Sequence, residues 1–481
     1  MINLEPKAVF RFFNEITQIP RPSKKEEKIG QYLVDFAKKR NLSVKTDKVG
    51  NILISKSAAA ERQTAKKIVL QAHQDMVCEK NSNVVFNFDT DAIQTWIDGD
   101  FLKAKGTTLG ADNGIGIAMA LAVLDSTDIA HPAIECLFTV DEETGLTGAF
   151  ALENDFLTGD ALINLDSEDD GEIFVGCAGG IGTTAEWTFD LENLPADFYA
   201  FRVSVSGLQG GHSGDDINKN RANANKILNR FLWEVNARTD LRLACFDGGN
   251  LHNAIPREAV AVAAVPMKEK ENLRIWFNVF LSEIENEYLR YEPNMKIELE
   301  TENDVNQIID KNISDKFLNA IYACPNGIIA MSPDLPNLVE TSTNLASVKM
   351  PQPDRIQVVT SQRSSLESAK YDIAHQVQSA FALGGAAVEI ADGYPGWQPN
   401  MQSEILKVTE KSYIRLFGEK PLVRAIHAGL ECGLFKEKYP ALDMVSIGPQ
   451  MYGVHSPDER LSISSTQKTW RWLIDILEAV E

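Results

Sequence analysis

The stretch Val69-Leu70-Gln71-Ala72-His73-Gln74-Asp75-Met76-Val77 decides the fold that we expect for this chain. It predicts an apolar β-strand that presents a histidine and an aspartate where its apolar residues end. Residues i and i+2 of a strand project to the same face, so His73 and Asp75 stand side by side while Gln74 points away. A carboxylate beside an imidazole fixes the tautomer of the ring and leaves its other nitrogen for a metal ion. The competing interpretation is a chance His-x-Asp at a strand end, and acidic clusters elsewhere in the chain favour the metal.

Two further apolar strands are predicted to end in acidic residues. The strand over 133–140 is followed by the acidic run 141–143, and the strand over 161–165 is followed by the run 166–170. The glycine-rich stretch 105–116 leads into an apolar helix. Strands that alternate with helices predict a largely parallel sheet, whose binding site lies at the carboxyl ends of the strands.

The remainder of the chain predicts a first domain that is interrupted by a second. Residues 181–392 read as the strands and helices of an α+β insertion, and two similar sets of elements within it suggest a duplicated unit. Residues 393–481 return to alternating helices and strands, and we expect them to complete the sheet begun by residues 1–180. Near the amino terminus, Ser23 is predicted to cap a helix, with Glu26 as its capping-box partner.

Composition and charge exclude several classes of protein. The chain has 481 residues and a formal net charge of −21, so neither nucleic acid nor an anionic membrane surface is an expected partner. Its six cysteines never form a Cys-x-x-Cys pair, so neither a thiolate zinc site nor a disulfide framework is indicated. The charged amino-terminal helix does not resemble a signal peptide, and no segment approaches the length of a membrane span. We therefore expect a cytoplasmic protein.

Seven side chains are candidates for one metal site. They are His73, Asp75, Asp112, Glu142, Glu143, Asp166 and His455. Imidazole and carboxylate ligands without thiolate are typical of zinc, with cobalt or manganese as alternatives. The set is larger than one catalytic zinc needs, but it suits two metals about 3.5–4 Å apart that share a carboxylate. In the pair Glu142-Glu143, one side chain can bind metal while the other acts as general base on the metal-held water.

Six motifs resemble a known family, the dinuclear zinc exopeptidases, which include glutamate carboxypeptidases, aminoacylases and bacterial di- and tripeptidases. The motifs are Gly106–Gly116, Gly176–Gly180, Gly210–Gly214, Asn253–Arg257, Pro395–Pro399 and His427–Gly433. The resemblance covers nearly the whole chain and is closest to the subfamily of Xaa-His dipeptidases. It implies an α/β, zinc-peptidase-like catalytic domain with a mixed, largely parallel sheet and an inserted α+β lid domain.

The resemblance also implies a role for each candidate ligand. One metal is expected on His73, Asp112 and Asp166, and the other on Asp112, Glu143 and His455. Glu142 is then the general base, and Asp75 is the partner of His73. The family's bridging aspartate is followed by a cis peptide, which we expect here between Asp112 and Asn113.

The lid is expected to contact the substrate. His212 resembles the family's lid histidine, which helps to stabilise the oxyanion. In smaller members this histidine comes from the partner subunit of a dimer, whereas the large insertion here predicts that it acts within its own chain, even if a homodimer forms. Asn253 and Arg363 are candidates for binding the terminal carboxylate, although an arginine in an edge strand, as predicted for Arg363, is usually solvated. Gly429 and Glu431 are expected to line the wall of the site.

The expected activity is hydrolysis of unblocked dipeptides, Xaa-His included, by water activated at two metal ions with a glutamate as general base. An alternative within the family is an amidohydrolase that removes an acyl group from an amino acid. A catalytically silent binding or scaffold protein is a third possibility, which a missing ligand or base would indicate. No expected ligand is missing from this sequence.

Overall fold

The computed structural model describes residues 4–481 and separates into two compact units. Unit 1 comprises Met1–Gly176, Trp397–Ala425 and Leu430–Glu481. Unit 2 comprises Cys177–Gly396 and Ile426–Gly429. The chain of unit 1 is thus interrupted by the chain of unit 2.

Together, the described residues of the two units form twelve α-helices and twenty-five β-strands. The helices are α1 (Lys7–Ile16), α2 (Glu27–Lys39), α3 (Ala111–Asp125), α4 (Glu142–Gly145), α5 (Thr147–Ala151), α6 (Ala224–Asn236), α7 (Lys270–Tyr288), α8 (Lys311–Ala323), α9 (Glu367–Leu383), α10 (Glu404–Phe417), α11 (Glu431–Lys438) and α12 (Ile463–Ala479). The strands are β1 (Ser43–Thr46), β2 (Ile52–Lys56), β3 (Ile68–His73), β4 (Thr95–Asp98), β5 (Phe101–Ala104), β6 (Ile134–Thr139), β7 (Ala161–Asn164), β8 (Glu172–Cys177), β9 (Gly179–Thr188), β10 (Leu191–Asn193), β11 (Phe198–Ser206), β12 (Gly211–His212), β13 (Arg242–Gly248), β14 (Ala254–Ile255), β15 (Ala259–Pro266), β16 (Lys296–Thr301), β17 (Gln307–Ile309), β18 (Gly327–Met331), β19 (Val339–Gln352), β20 (Arg355–Ser364), β21 (Ala387–Ile390), β22 (Leu422–Ile426), β23 (Asp443–Ser446), β24 (Met451–Tyr452) and β25 (Arg460–Ser462).

Unit 1 is built on an eight-stranded mixed sheet in the order β1-β2-β6-β3-β7-β23-β8-β22. Its centre is parallel, because β3 runs parallel to both β6 and β7, and β7 runs parallel to β23. All residues of β3, β6 and β7 are buried, as expected for parallel strands that are covered on both faces. Their carboxyl ends lie at one edge of the sheet, where His73 is paired with Thr139. The predicted mixed, largely parallel sheet is confirmed at the centre.

Helix α3 is apolar around almost its whole circumference and packs against α1. It begins earlier than the sequence suggests, because the glycines of its first turns conceal the helical pattern. Gly116 is required there, since a Cβ atom would lie 2.3 Å from the side-chain oxygen of Asn113 and 2.7 Å from the carbonyl oxygen of Leu165. Asp112 lies in the first turn with non-helical backbone angles. The Asp112–Asn113 peptide is cis, which confirms that prediction.

The predicted cap of the second helix is wrong. Helix α2 begins at Glu27, and the residue before it makes no side-chain capping bond. The Ser23 hydroxyl instead donates to Asp75 Oδ2 at 2.7 Å. The Glu26 carboxylate accepts the backbone N–H groups of Lys24 at 2.9 Å and Asp141 at 3.0 Å. Hydrogen bonds with the distant residues Asp75 and Asp141 thus replace the local capping box that sequence spacing favoured.

Unit 2 contains a nine-stranded sheet in the order β16-β11-β15-β13-β19-β20-β9-β21, with β18 paired to β19. Apart from β18, the sheet and its helices form two βαββαβ halves. The inner half has strands β11, β13, β15 and β16 and helices α6 and α7, and the outer half has strands β9, β19, β20 and β21 and helices α8 and α9. When the four strands of each half are numbered along the chain, both halves show the same spatial order, 4-1-3-2. The halves join where β13 runs antiparallel to β19.

The duplication that the sequence suggested is therefore present, but it is nested and not tandem. The inner half is inserted between the first strand and the first helix of the outer half. Strands β10 and β17 pair on either side of the insertion and close it. Alternating burial along β9 and β11 directs one face of the sheet into an apolar core that includes Trp187 and Phe201. No helix among residues 4–481 is long and apolar enough to cross a membrane.

Candidate metal centre

The carboxyl end of β3 carries the His-x-Asp pair with the geometry that strand alternation predicts. His73 Nδ1 lies 3.2 Å from Asp75 Oδ1. The Asp75 carboxylate also accepts the backbone N–H groups of Glu142 at 3.0 Å and Glu143 at 3.2 Å. The hydrogen bonds from His73 and Ser23 outweigh burial and lower the pKa of Asp75 to about 2. A charged Asp75 thus orients the imidazole and anchors the turn that carries both glutamates.

Asp112 lies between the two histidines that the sequence singled out. Its Oδ1 atom is 2.9 Å from His73 Nε2, and its Oδ2 atom is 3.1 Å from His455 Nε2. Each oxygen therefore faces a different imidazole. This is the arrangement that a carboxylate shared between two metal ions requires.

Two more carboxylates flank this centre, one beside each histidine. Asp166 Oδ1 lies 3.3 Å from His73 Nε2, and Glu143 Oε2 lies 3.0 Å from His455 Nε2. One ligand atom from each of His73, Asp112 and Glu143 lies within 4.8 Å of the others. The structure thus brings together all five residues that the sequence predicted as metal ligands.

The electrostatics of these residues favour a cation. Burial and neighbouring carboxylates raise the pKa of Asp166 to about 6. Hydrogen bonds that the His455 ring donates to the carboxylates of Asp112 and Glu143 raise its pKa to about 11. Burial opposes protonation of His73, but the carboxylates around it still raise its pKa well above the ordinary value. Positive charge is therefore stabilised on the nitrogens of both rings, where a metal ion would take the place of the protons.

An orphaned oxygen supports the same conclusion. Glu143 Oε1 is buried and has no hydrogen-bond partner in the described part of the chain. A buried carboxylate oxygen without a donor is costly unless a cation neutralises it. The donor set of two imidazoles and three carboxylates, with no thiolate, therefore fits divalent metal ions such as zinc.

Glu142 begins the short helix α4. Burial, together with Asp166, Glu431 and Glu143, raises the pKa of Glu142 well above its ordinary value. The carboxylate of the adjacent Asp141 accepts the hydroxyl groups of Thr144 and Thr147. Of the three consecutive acids, Glu143 thus lies beside His455 and Asp141 accepts from two threonines. Glu142 remains available for proton transfer.

Sequence reasoning missed three residues that support this centre. The Arg21 guanidinium is buried and donates to the backbone carbonyls of Gln74 at 2.9 Å and of Asp75. The Asn113 side chain donates to the Asp166 carboxylate and so orients it. Burial and the charges of Asp112 and Asp166 raise the pKa of Glu168 to about 8. None of the three stands in a spacing that would have predicted its contacts.

Glu431, which is predicted to line the wall of the site, is a buried residue of unit 1. The side chain of Glu431, at the start of α11, is only 2% exposed. One of its oxygens accepts from Gln71 Nε2 at 2.6 Å and from the Thr139 hydroxyl at 2.8 Å. Gln71 projects from the same face of β3 as His73. Burial raises the pKa of Glu431 to about 8. Glu431 therefore belongs to the buried interior of unit 1.

Unit 2 contains a separate polar cluster around Arg363. Its Nη1 atom donates to the Tyr394 hydroxyl at 2.9 Å, and its Nη2 atom lies 3.5 Å from His212 Nε2. His427 Nε2 lies 2.7 Å from the Ser342 hydroxyl. Burial and the Arg363 charge lower the pKa of both His212 and His427, the latter to about 3. The cluster thus holds a cation beside neutral imidazoles.

The position predicted for Arg363 is wrong. Strand β20 is central, since it pairs with β19 on one side and β9 on the other. Arg363 is only 6% exposed, and its Nε atom has no hydrogen-bond partner within residues 4–481. A buried guanidinium with an unused donor is suited to binding an anion. The side chain of Arg363 is therefore buried and is not solvated as it would be in an edge strand.

The other predicted substrate contacts lie near this cluster in unit 2. Strand β12 places His212 opposite Ala254 of β14. Asn253 immediately precedes Ala254 in the chain. The backbone carbonyl of Asn253 accepts the N–H of Ser213 at 2.8 Å. A Cβ atom at Gly429 would lie 2.8 Å from the ring of Tyr394, so the glycine permits close packing there.

A sequence model of peptidase family M20/M25/M40 matches residues 69–479. The chain belongs to this family. This chain is 44% identical over 478 residues to the cytosol non-specific dipeptidase of Escherichia coli (strain K12). The alignment covers 99% of this chain and 98% of that protein.

Solved structures agree with the family assignment. Aminoacylhistidine dipeptidase from Vibrio alginolyticus has a TM-score of 0.95 to this M20/M25/M40 peptidase and 42% identity, covering 100% of this chain and 98% of that one. Aminopeptidase PepT from Bacillus cereus shares only 17% identity with a TM-score of 0.56, over 99% of each chain, and shows a likeness of fold alone. The predicted family, the mixed α/β fold and the assignment as a peptidase are confirmed.

Proposed function

We propose that this M20/M25/M40 peptidase is a metal-dependent dipeptidase that hydrolyses unblocked dipeptides, Xaa-His among them. The observation that carries the proposal is Asp112, which offers one oxygen to each of two histidines beside the half-buried Glu142. The names of the Escherichia coli and Vibrio alginolyticus proteins support dipeptides as the substrate class. The first of these names also supports a cytoplasmic location. In this proposal unit 1 carries the catalytic residues and unit 2 carries residues that bind substrate.

The metal ions of this proposal are two divalent cations, most readily zinc, with cobalt or manganese as alternatives. One would be held by His73, Asp112 and Asp166, and the other by Asp112, Glu143 and His455. When bound, such cations polarise a carbonyl group and lower the pKa of water. Asp75 keeps His73 in the tautomer that presents Nε2.

Glu142 is proposed as the group that moves the proton. Its raised pKa makes the carboxylate a stronger base than a solvated glutamate. It would take a proton from the attacking water and deliver it to the amine that leaves when the peptide bond breaks. Its backbone N–H is held by Asp75, so the side chain can change protonation without loss of the turn.

The cluster in unit 2 is proposed to bind the substrate. The unused Nε donor and the charge of Arg363 suit the terminal carboxylate of a dipeptide. His212, kept neutral by burial and Arg363, can donate a hydrogen bond to the developing oxyanion. Asn253 can add an amide contact, and Gly429 allows the Tyr394 ring to pack closely beside the cluster.

The test is a panel of free and N-acetylated dipeptides, assayed after chelation and after addition of zinc, cobalt or manganese. We expect hydrolysis of free dipeptides only, restored by a divalent metal. Preferential hydrolysis of the acetylated substrates would establish the acyl-removing alternative. Unchanged activity after complete chelation would overturn the proposed metal centre.

A further inference from the structure

The loop that carries His455 has an unusual backbone. His455 has a φ angle of 61°, in the left-handed region that residues other than glycine adopt only where their surroundings enforce it. Its side chain is 51% exposed, so packing around the imidazole does not enforce this conformation. Besides the contacts of His455 with Asp112 and Glu143, one further carboxylate holds the loop in place.

Glu459, four residues further along the same loop, makes that contact. Its side chain is 2% exposed. One oxygen accepts the backbone N–H groups of Leu109 at 2.7 Å and Gly110 at 3.0 Å. The other accepts the N–H of Ala111 at 2.7 Å, with the N–H of Asp112 at 3.4 Å. A single carboxylate thus binds the backbone segment that leads directly into Asp112.

The same segment is fixed from a second direction by Arg21. The guanidinium donates to the carbonyl oxygen of Gly110, whose N–H is held by Glu459. Gly110 has a φ of 69°, and a Cβ atom there would lie 2.8 Å from the Arg21 side chain. The segment before Asp112 therefore has one defined position, and Glu459 joins the His455 loop to it.

We infer that Glu459 is a positioning residue of the metal centre, which sets His455 against the second oxygen of Asp112 by binding residues 109–112 through their backbone. The simpler alternative is a carboxylate that stabilises the amino-terminal end of α3 and serves only the stability of the fold. The two roles differ in their effect on metal binding. A positioning role acts through His455 and affects the metal of Asp112, Glu143 and His455 most.

The test uses Glu459→Gln, which keeps the size of the side chain but turns an amide group toward backbone N–H donors. The dissociation constants of both zinc ions are measured by competition with a chelator, and the metal content is measured by elemental analysis. We expect affinity for the second zinc to fall about 10–100-fold, as for other groups that orient metal ligands. The first zinc should be affected far less.

Glu292→Gln is the matched control. Glu292 is a fully buried carboxylate that accepts the backbone N–H groups of Gln209 at 2.7 Å and Ala222 at 2.9 Å within unit 2. Its replacement removes a contact of the same kind but should leave both zinc dissociation constants unchanged. An equal loss of zinc in this variant would overturn the specific role of Glu459.

A double-mutant cycle separates positioning from stability. In a His455→Ala background the loop has no ligand to position, so adding Glu459→Gln should change the zinc dissociation constants by no more than about twofold. A loss that persists in full in this background would overturn the inference, as would normal zinc affinity in the single variant. The shorter Glu459→Asp should recover part of the lost affinity.

If Glu459→Gln unfolds during purification, Glu459→Asp takes its place in the cycle, with the increase in Tm that zinc confers on the chelated protein as the measurement. The increase should be smaller than in the wild type, and an equal increase would overturn the inference.

The inference rests on the proposed two-metal site. Wild-type protein that binds fewer than two zinc ions would overturn that site and with it the inference, whereas the variants overturn the inference alone.

Discussion

The pair Glu142 and Glu143 offers a sharp test of the catalytic assignment. The backbone N–H groups of both residues are held by Asp75, at 3.0 Å and 3.2 Å. The side chains differ, because Glu143 Oε2 lies 3.0 Å from His455 Nε2. Glu142 makes no such contact with a candidate ligand in the described structure. Replacement of each by glutamine is therefore a matched experiment in which only the function of the carboxylate differs.

The expected effects differ in kind. A general base contributes about 10²–10⁴-fold to the rate, so Glu142→Gln should lower kcat by this factor. Such a decrease corresponds to about 3–5 kcal/mol in the activation barrier. Both metals should remain bound, since the lost charge is not a ligand. Glu143→Gln should instead lose the metal held with Asp112 and His455 and lose activity as a consequence.

The assay combines kcat for a free dipeptide with metal content from elemental analysis of the same samples. Added zinc should restore part of the activity of Glu143→Gln and none of that of Glu142→Gln. Retained turnover in Glu142→Gln with two metals bound would refute its assignment as the base. Loss of one metal from that variant would show that Glu142 is itself a ligand.

Three further predictions concern the support of the metal, the substrate and the lid histidine. Asp75→Asn should weaken zinc binding about 10–100-fold, because His73 loses the partner that fixes its tautomer; unchanged affinity in a chelator titration would contradict this. Arg363→Lys should raise KM for free dipeptides but not for dipeptide amides, and an equal rise for both would exclude carboxylate binding. Mixed dimers of His212→Ala and Glu142→Gln chains should stay inactive, because His212 is expected to act within its own chain; recovered activity after subunit exchange would show that it acts across an interface.

The parts of the fold that sequence predicted well are those governed by local pattern. Strands β3, β6 and β7 are buried throughout, largely apolar and end at polar residues, so both their existence and their carboxyl ends could be inferred. The convergence of His73 and Asp166 followed, because parallel strands present their carboxyl ends at one edge. Local pattern thus predicts that His73 and the acids at the strand ends lie together, whereas the ligands of each metal are implied by the family resemblance.

The parts that sequence could not predict depend on long-range pairing. Periodicity does not encode strand order, so it reveals neither the nested arrangement of unit 2 nor the central position of β20. Local spacing predicts a helix cap for Ser23, because its true partner, Asp75, lies 52 residues away. Glu459 accepts its hydrogen bonds from residues about 350 positions earlier, and no spacing within the chain indicates this.

The parallel pairing of β7 with β23 has a consequence for synthesis of the protein. Asn164 and Ser446 are paired in the sheet but lie 282 residues apart in the chain. A ribosome adds about 5–20 residues each second, so β7 waits about 15–60 s for this neighbour. During that time one side of β7 is an open edge that other nascent chains could pair with. His455 is made later still, after four of the five proposed metal ligands. In the proposed metal centre, a product that ends before β23 would lack His455 and be inactive, and the open edge of β7 would favour its aggregation.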